Sequence, residues 1–222
     1  MSDPEAQVLI GASEAPRPTG RRTACAEKMM FFEARAARWD RDHSCPEEAR
    51  TIPLIIPFLR LSAGDRVLDL GCGTGKLVPW LREGVGPSGL IVEADYCRGM
   101  LEAGRSKRFG RRVRFVRMDA QAPAVAGGAF DRIVCFSLFP HLEDQAGALR
   151  GFRRLLKPGG PLVIAHTMGR EALNAFFRRV GGPVGGDSLP DERQMTSLLS
   201  KAGFRNVEIA DRPRHYIARA WA

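Results

Sequence analysis

The stretch Val67-Leu68-Asp69-Leu70-Gly71-Cys72-Gly73-Thr74-Gly75 places glycine at every second position directly behind an apolar run. That alternation lets the main chain turn sharply and approach a ligand where any Cβ would clash. A helix starting just beyond offers free N–H groups to an anionic group such as an amino-acid carboxylate. The spacing is GxGxG, unlike the GxGxxG of pyrophosphate binders. Asp95 ends a second apolar run 20 positions after Gly75, where a carboxylate can accept both hydrogen bonds of a ribose diol. Asp119-Ala120 follows a third run, and an acceptor there can take the exocyclic amine of adenine. Each acid alone is as easily a helix or turn cap. Together the three signals lie at the carboxyl ends of consecutive strands, the edge where open α/β sheets bind ligands.

Groups able to move a proton are fewer. His141 follows the fourth apolar run in Phe136-Ser137-Leu138-Phe139-Pro140-His141, and His166 ends the fifth in Val163-Ile164-Ala165-His166-Thr167. Histidine titrates near neutrality and suits general acid–base work, although a histidine at either place can equally pack or cap. His43, near the N-terminus, and His215, opening the last strand, are weaker candidates. Phe31, Phe32, Trp39, His43, Phe139, Phe176 and Phe177 are candidates for an apolar acceptor pocket, although most such aromatic stripes are core.

To position these groups the chain alternates short buried runs with amphipathic ones. Strands are expected over 66–70, 90–94, 113–117, 130–136 and 162–165, and helices over 75–83, 97–106, 143–156, 170–179 and 191–201. Strands that alternate with helices need crossover connections, so the sheet is mainly parallel. Two closing strands, 205–210 and 215–220, share a link around Asp211-Arg212-Pro213. So short a link permits a hairpin and forbids a parallel crossover.

Upstream, residues 1–24 are rich in Pro, Gly, Ala and charge and read as a disordered arm. Residues 25–62 read as a helical lid, with one helix over 27–40 and another from Pro46 to about Leu61. Pro46 suits a helix start and Glu47-Glu48 its first turn, while Pro53 and Pro57 bend or interrupt the helix. Residues 63–222 make the main domain. The Gly181-Gly182 and Gly185-Gly186 pairs make the connection they lie in a candidate hinge.

The 222 residues suit one domain, and 44% hydrophobic content supplies its core. No apolar run approaches the ~20 residues of a membrane span, and the N-terminus lacks the pattern of a secretory signal. Five scattered cysteines without a CxxC pair read as reduced thiols of a cytoplasmic protein, and no metal site is expected. The net charge of +9 raises a nucleic-acid partner. The basic residues, however, come as short pairs (Arg111-Arg112, Arg153-Arg154, Arg178-Arg179) without interleaved aromatics, which favours solvated surface and no nucleic acid.

On the glycine stretch, Asp95, Asp119-Ala120, Phe130-Asp131-Arg132-Ile133-Val134 and Leu155-Leu156-Lys157-Pro158-Gly159-Gly160, the chain resembles a known family. It is similar to the class I S-adenosylmethionine-dependent methyltransferases, particularly the small-molecule branch near the ubiquinone/menaquinone C-methyltransferases, over about 40–222. The resemblance implies an α/β fold: a Rossmann-like, seven-stranded, mostly parallel sheet with an antiparallel last strand and helices on both faces. It implies S-adenosyl-L-methionine as cofactor. Asp69, Gly71, Cys72, Gly73, Thr74 and Gly75 would hold the methionine end, Asp95 the ribose, and Asp119 with Ala120 the adenine. Tyr96 and Met100 would pack beside ribose or purine, and Phe136 joins the cofactor set. The family's usual Gly-x-Asp at the end of the second strand is Glu93-Ala94-Asp95 here, which keeps the acid and tightens the backbone.

The expected reaction is in-line methyl transfer to an O, C, N or S atom of a small, largely apolar metabolite, by a monomer or homodimer. A base matters only where the acceptor must lose a proton. Ser137-Leu138-Phe139-Pro140 replaces the Asn/Asp-Pro-Pro-Tyr/Phe of enzymes acting on planar amino nitrogens, and no Pro-Cys dipeptide is present for attack on cytosine. An RNA methyltransferase, favoured by the charge alone, stays open, and steep salt dependence would support it. So do a non-catalytic S-adenosylmethionine-binding regulatory module and methylation of a metalloid or thiol collected by Cys25, Cys45 and Cys135.

Overall fold

The computed structural model describes residues 22–43 and 46–222. Its strands are β1 (Arg66–Leu70), β2 (Leu90–Asp95), β3 (Val113–Arg117), β4 (Arg132–Phe136), β5 (Pro161–His166), β6 (Arg205–Arg212) and β7 (His215–Trp221), which form one sheet in the order β3-β2-β1-β4-β5-β7-β6. β1 to β5 pair in parallel, and β7 lies antiparallel between β5 and β6. The described helices are α1 (Arg22–Glu33), α2 (Trp39–Asp42), α3 (Pro46–Ile55), α4 (Val78–Val85), α5 (Arg98–Ser106), α6 (Gln145–Leu155), α7 (Arg170–Val180) and α8 (Glu192–Lys201).

The strands read as near-continuous apolar runs because both faces of the sheet are covered. Leu68, Leu70, Ile133 and Ile164 meet Leu149 and Phe152 of α6 and Met195 and Leu199 of α8. On the other face Val67, Ile91, Val134 and Val163 meet Ile52 and Ile55 of α3 and Val78 and Leu81 of α4. Strand order reverses on either side of β1, so the loops leaving β1 and β4 part there and open a crevice at their carboxyl ends.

Several boundaries differ from expectation for local reasons. The first N-terminal helix breaks: α1 stops at Glu33, a 3-10 turn covers Ala36–Arg38, and α2 follows. The helix from Pro46 gives way at Ile56–Leu59 to a 3-10 turn with proline near its start, and Arg60 at φ +48° ends it. Pro57 lacks the N–H that would continue the ladder. α4 starts at Val78 rather than 75, because Gly75 sits at φ +78°, outside helical space. β4 begins at Arg132, and Phe130 keeps only an isolated bridge to Leu156. Of the expected arm, residues 1–21 lie outside the described residues, and α1 already begins at Arg22. Among the described residues no helix is long and apolar enough to cross a membrane, and no three His, Cys, Asp or Glu side chains gather as a metal ion would require.

Candidate active site

The loop after β1 is shaped by its glycines and tied to β2. Gly71 has φ +69°, and a Cβ there would lie 2.8 Å from Leu138. Gly73 has φ +56°, with the Trp39 indole nitrogen 3.8 Å from where its Cβ would be. The Gly71 and Cys72 N–H groups donate to the Ala94 carbonyl at 2.8 and 3.1 Å. Asp95 finishes the bracing: Oδ2 accepts the Gly73 N–H and Oδ1 the Cys97 N–H, both at 2.8 Å. Burial raises the Asp95 pKa, against the pull of these backbone bonds.

Period two along β1 and β2 puts Asp69, Glu93 and Asp95 on one face, and Asp69 and Glu93 are register partners. Their exposures are 1% and 0%. Asp69 Oδ1 and both Glu93 carboxyl oxygens have no hydrogen-bond partner, although the Cys72 thiol lies beside Glu93. Burial pushes both carboxyls well above the carboxylate range, with repulsion from Asp95 adding to it at Asp69 and repulsion from Asp69 adding to it at Glu93. The folded protein therefore binds these protons more tightly than the unfolded chain, and stability falls as pH rises above the ordinary carboxylate pKa. Glu93→Gln is expected to flatten that slope and to raise the urea midpoint near neutrality, with the gain shrinking towards about pH 4, below which both forms of position 93 are neutral. Urea melts between about pH 4 and 8 without ligand check this, and an unchanged slope would refute it.

The N-terminal helices are fastened across this loop by charged groups. Asp40 accepts the Thr74 hydroxyl at 2.5 Å and pairs with Lys107 at 2.7 Å. Lys107 also donates to the Thr74 hydroxyl and carbonyl oxygens. Burial alone would raise the Asp40 pKa, but the bonds from Lys107 and Thr74 hold it low. Lys76 joins Glu48 at 2.6 Å and the His43 carbonyl at 3.1 Å. Glu33 accepts the Gly99 N–H at 2.8 Å in the first turn of α5. Trp39 stacks on His43 with ring centroids 3.9 Å apart.

Behind β4, His141 sits in the 3-10 turn Phe139–His141 with its Nδ1 2.6 Å from Asp187 Oδ2. Lys28 of α1 reaches Asp187 Oδ1 at 2.5 Å and the His141 carbonyl at 3.2 Å. Edge-on rings of Phe32 and Phe177 flank the imidazole at 5.1 and 5.2 Å. The His141 side chain keeps 14% of its surface exposed.

A methyltransferase called GfsG from Streptomyces halstedii is 33% identical over 163 residues, which are 69% of this chain and 57% of that protein. The demethylmenaquinone methyltransferase of Lactococcus lactis subsp. lactis is 29% identical over 170 residues, 65% of this chain and 68% of that one. The chain thus spans little more than half the length of the first relative. A crystal structure of a SAM-dependent methyltransferase from Aquifex aeolicus shares the fold, with TM-score 0.69 and 20% identity over 85% of this chain and 97% of its own. Residues 67–160, from β1 to the turn before β5, match the family described as methyltransferase domain. Residues 67–160 thus form a methyltransferase domain, and the chain is similar to S-adenosylmethionine-dependent methyltransferases beyond it.

The cofactor of this methyltransferase family is a sulfonium and an ammonium cation, and the residues present fit it. Asp69 Oδ1 is an enclosed acceptor without a donor, and the turn at Gly73 has the positive φ that a residue without a Cβ adopts freely. Of the residues expected around the cofactor, Asp69, Gly71 to Gly75, Asp95 and Tyr96 gather at the ends of β1 and β2. Arg117 lies over the Tyr96 ring. Asp119 Oδ1 accepts the Gln121 N–H at 2.8 Å, closing a turn after β3. Met100 packs with Ala36 and Cys97 beneath the N-terminal helices, Ala120 is buried, and Phe136 belongs to the core on the α3 and α4 face.

The expected acceptor pocket divides. Phe32, His141 and Phe177 come together, and Phe176 meets Phe177 edge-on while staying exposed. Phe31 carries the Arg35 guanidinium 3.6 Å above its ring, and His43 is exposed beside Trp39. Phe139 is fully buried in the core against α6, so it lines no pocket. His166 is also enclosed, 2% exposed, with Nε2 unpartnered, and burial pushes its pKa down to about 3. Cys135 is buried and its thiol pKa raised. Cys45 and the Cys25 side chain lie outside the described residues. Asp187 and Lys28 escaped the reading of the sequence.

Proposed function

We propose that the protein transfers the methyl group of S-adenosylmethionine to a small, largely apolar acceptor whose receiving oxygen or carbon must first lose a proton, and that His141 takes that proton. The observation that carries this is the imidazole of His141, framed by Phe32 and Phe177, with one nitrogen held by a carboxylate and the ring partly open. The resemblance to a demethylmenaquinone methyltransferase supports an aromatic, quinol-like acceptor. Asp69 and the Gly71–Gly75 backbone take the methionine end, Asp95 the ribose and Asp119 the adenine. When bound, the cofactor supplies an electrophilic methyl carbon on a positive sulfur. The chain then needs only to align the acceptor, exclude water with Trp39 and the N-terminal helices, and hold His141 ready. Alignment of that kind is worth on the order of 7–11 kcal/mol in good intramolecular reactions.

His166, whose pKa burial pushes down to about 3, is not part of this reading. Incubation with methyl-labelled S-adenosylmethionine and a panel of phenols, quinols, thiols, amines and carboxylic acids tests the proposal. Label should pass to phenols or quinols, and transfer confined to amines or thiols would overturn it.

A further inference from the structure

We infer that Asp187 is the positioning residue of His141, and that Lys28, brought in on α1, clamps Asp187 so that the base is complete only when the N-terminal helix is docked. The inference rests on His141 acting as the base. Asp187 lies in the Gly/Pro-rich connection between α7 and α8, 46 positions from His141, and its side chain is 5% exposed. Its backbone is fixed: its N–H donates to the Val184 carbonyl at 3.0 Å. The neighbouring Leu189 exchanges two hydrogen bonds with the buried Asn174 side chain, at 2.8 and 3.1 Å.

From that anchored position the two carboxylate oxygens part company. Oδ2 meets His141 Nδ1, and Oδ1 meets Lys28 Nζ. An ionised carboxylate only accepts, so Nδ1 carries the proton and the Nε2 lone pair is left for an acceptor. Lys28 also donates to the carbonyl of His141 itself, and so holds both the carboxylate and the main chain of its partner. A carboxylate this enclosed needs the compensating ammonium. Three separate segments of chain thus meet at one imidazole, and one of them is the helix that closes over the site.

A purely structural pin between α1 and this connection would lose stability when cut but would not set a tautomer. Asp187→Asn separates the two cases in the full chain. With Lys28 occupying the carboxamide oxygen, the amide NH2 is turned to Nδ1, which must then accept, and the proton moves to Nε2. Long-range proton–nitrogen spectra of histidine-labelled protein are expected to show Nδ1–H in the wild type and Nε2–H in Asp187→Asn. Methyl transfer to the best phenol of the panel should fall on the order of 100-fold, with kcat carrying the loss. Calorimetric affinity for S-adenosylmethionine should be unchanged. Lys28→Met should cost about tenfold, the scale of one charge-assisted bond, Lys28→Arg should restore most of it, and Lys28→Met should add little on top of Asp187→Asn.

If His141→Ala retains wild-type turnover, the base assignment fails and this inference with it. If His141→Ala is inactive but Asp187→Asn keeps the wild-type tautomer and turnover, the positioning role alone is refuted.

Discussion

Asp95→Ala is expected to weaken S-adenosylmethionine binding by roughly 100-fold or more while the protein stays folded. The carboxylate of Asp95 accepts two main-chain N–H groups, one from the turn at Gly73 and one from Cys97 before α5. Each bond to a charged acceptor is worth about 1.5–3 kcal/mol, and a tenfold change in affinity corresponds to about 1.4 kcal/mol. Losing both frees the Gly73 end of the turn, which is then held to β2 only through the Gly71 and Cys72 bonds to Ala94, in addition to removing the acid proposed for the ribose. Asp95 is the last residue of β2 and its carboxylate bonds only loop backbone, so the circular dichroism spectrum should survive. Calorimetric titration reads the result directly. Wild-type affinity in a folded Asp95→Ala protein would mean that the cofactor binds elsewhere.

The second large effect is expected at the imidazole. His141→Ala should lower turnover of a proton-bearing acceptor by about 10²–10⁴, the usual contribution of a positioned base, and leave cofactor affinity as it was. The imidazole lies between Phe32 and Phe177 at the edge of the core and keeps 14% of its surface exposed, so its truncation empties the proposed acceptor chamber. Free imidazole added to the variant should return part of the rate by occupying the space vacated. Full activity in the variant would leave the acceptor needing no base at all.

The architecture was legible because parallel strands buried on both faces announce themselves as apolar runs, and the link between β6 and β7 is too short for a parallel crossover. The glycine turn and Asp95 were legible for a related reason, since they lie within local patterns. Glu93 was visible as a departure, and strict alternation from Ile91 would have put it on the face of Asp69. Phe139 shows the limit of composition: an aromatic in the core and one lining a pocket have the same signature until packing is known. His166 shares the parity of Leu162 and Ile164, which directs it into the face covered by α6 and α8. Asp187 and Lys28 were invisible for another reason. They meet across 159 positions, from a helix and from an aperiodic connection, and no local spacing encodes that meeting.

The fastening of α1 to α3 bears on how the surplus of positive charge is to be tested. Lys28 with Asp187, Asp40 with Lys107 and Glu48 with Lys76 are all ion pairs, and the last two lie near the surface. The Debye length shrinks from about 8 Å at physiological ionic strength to about 3 Å at 1 M, so concentrated electrolyte loosens these attachments from within. A decline of turnover in brine is therefore no evidence of a polyanionic partner. Only a titration with the nucleic acid itself can report whether the +9 charge serves such a partner.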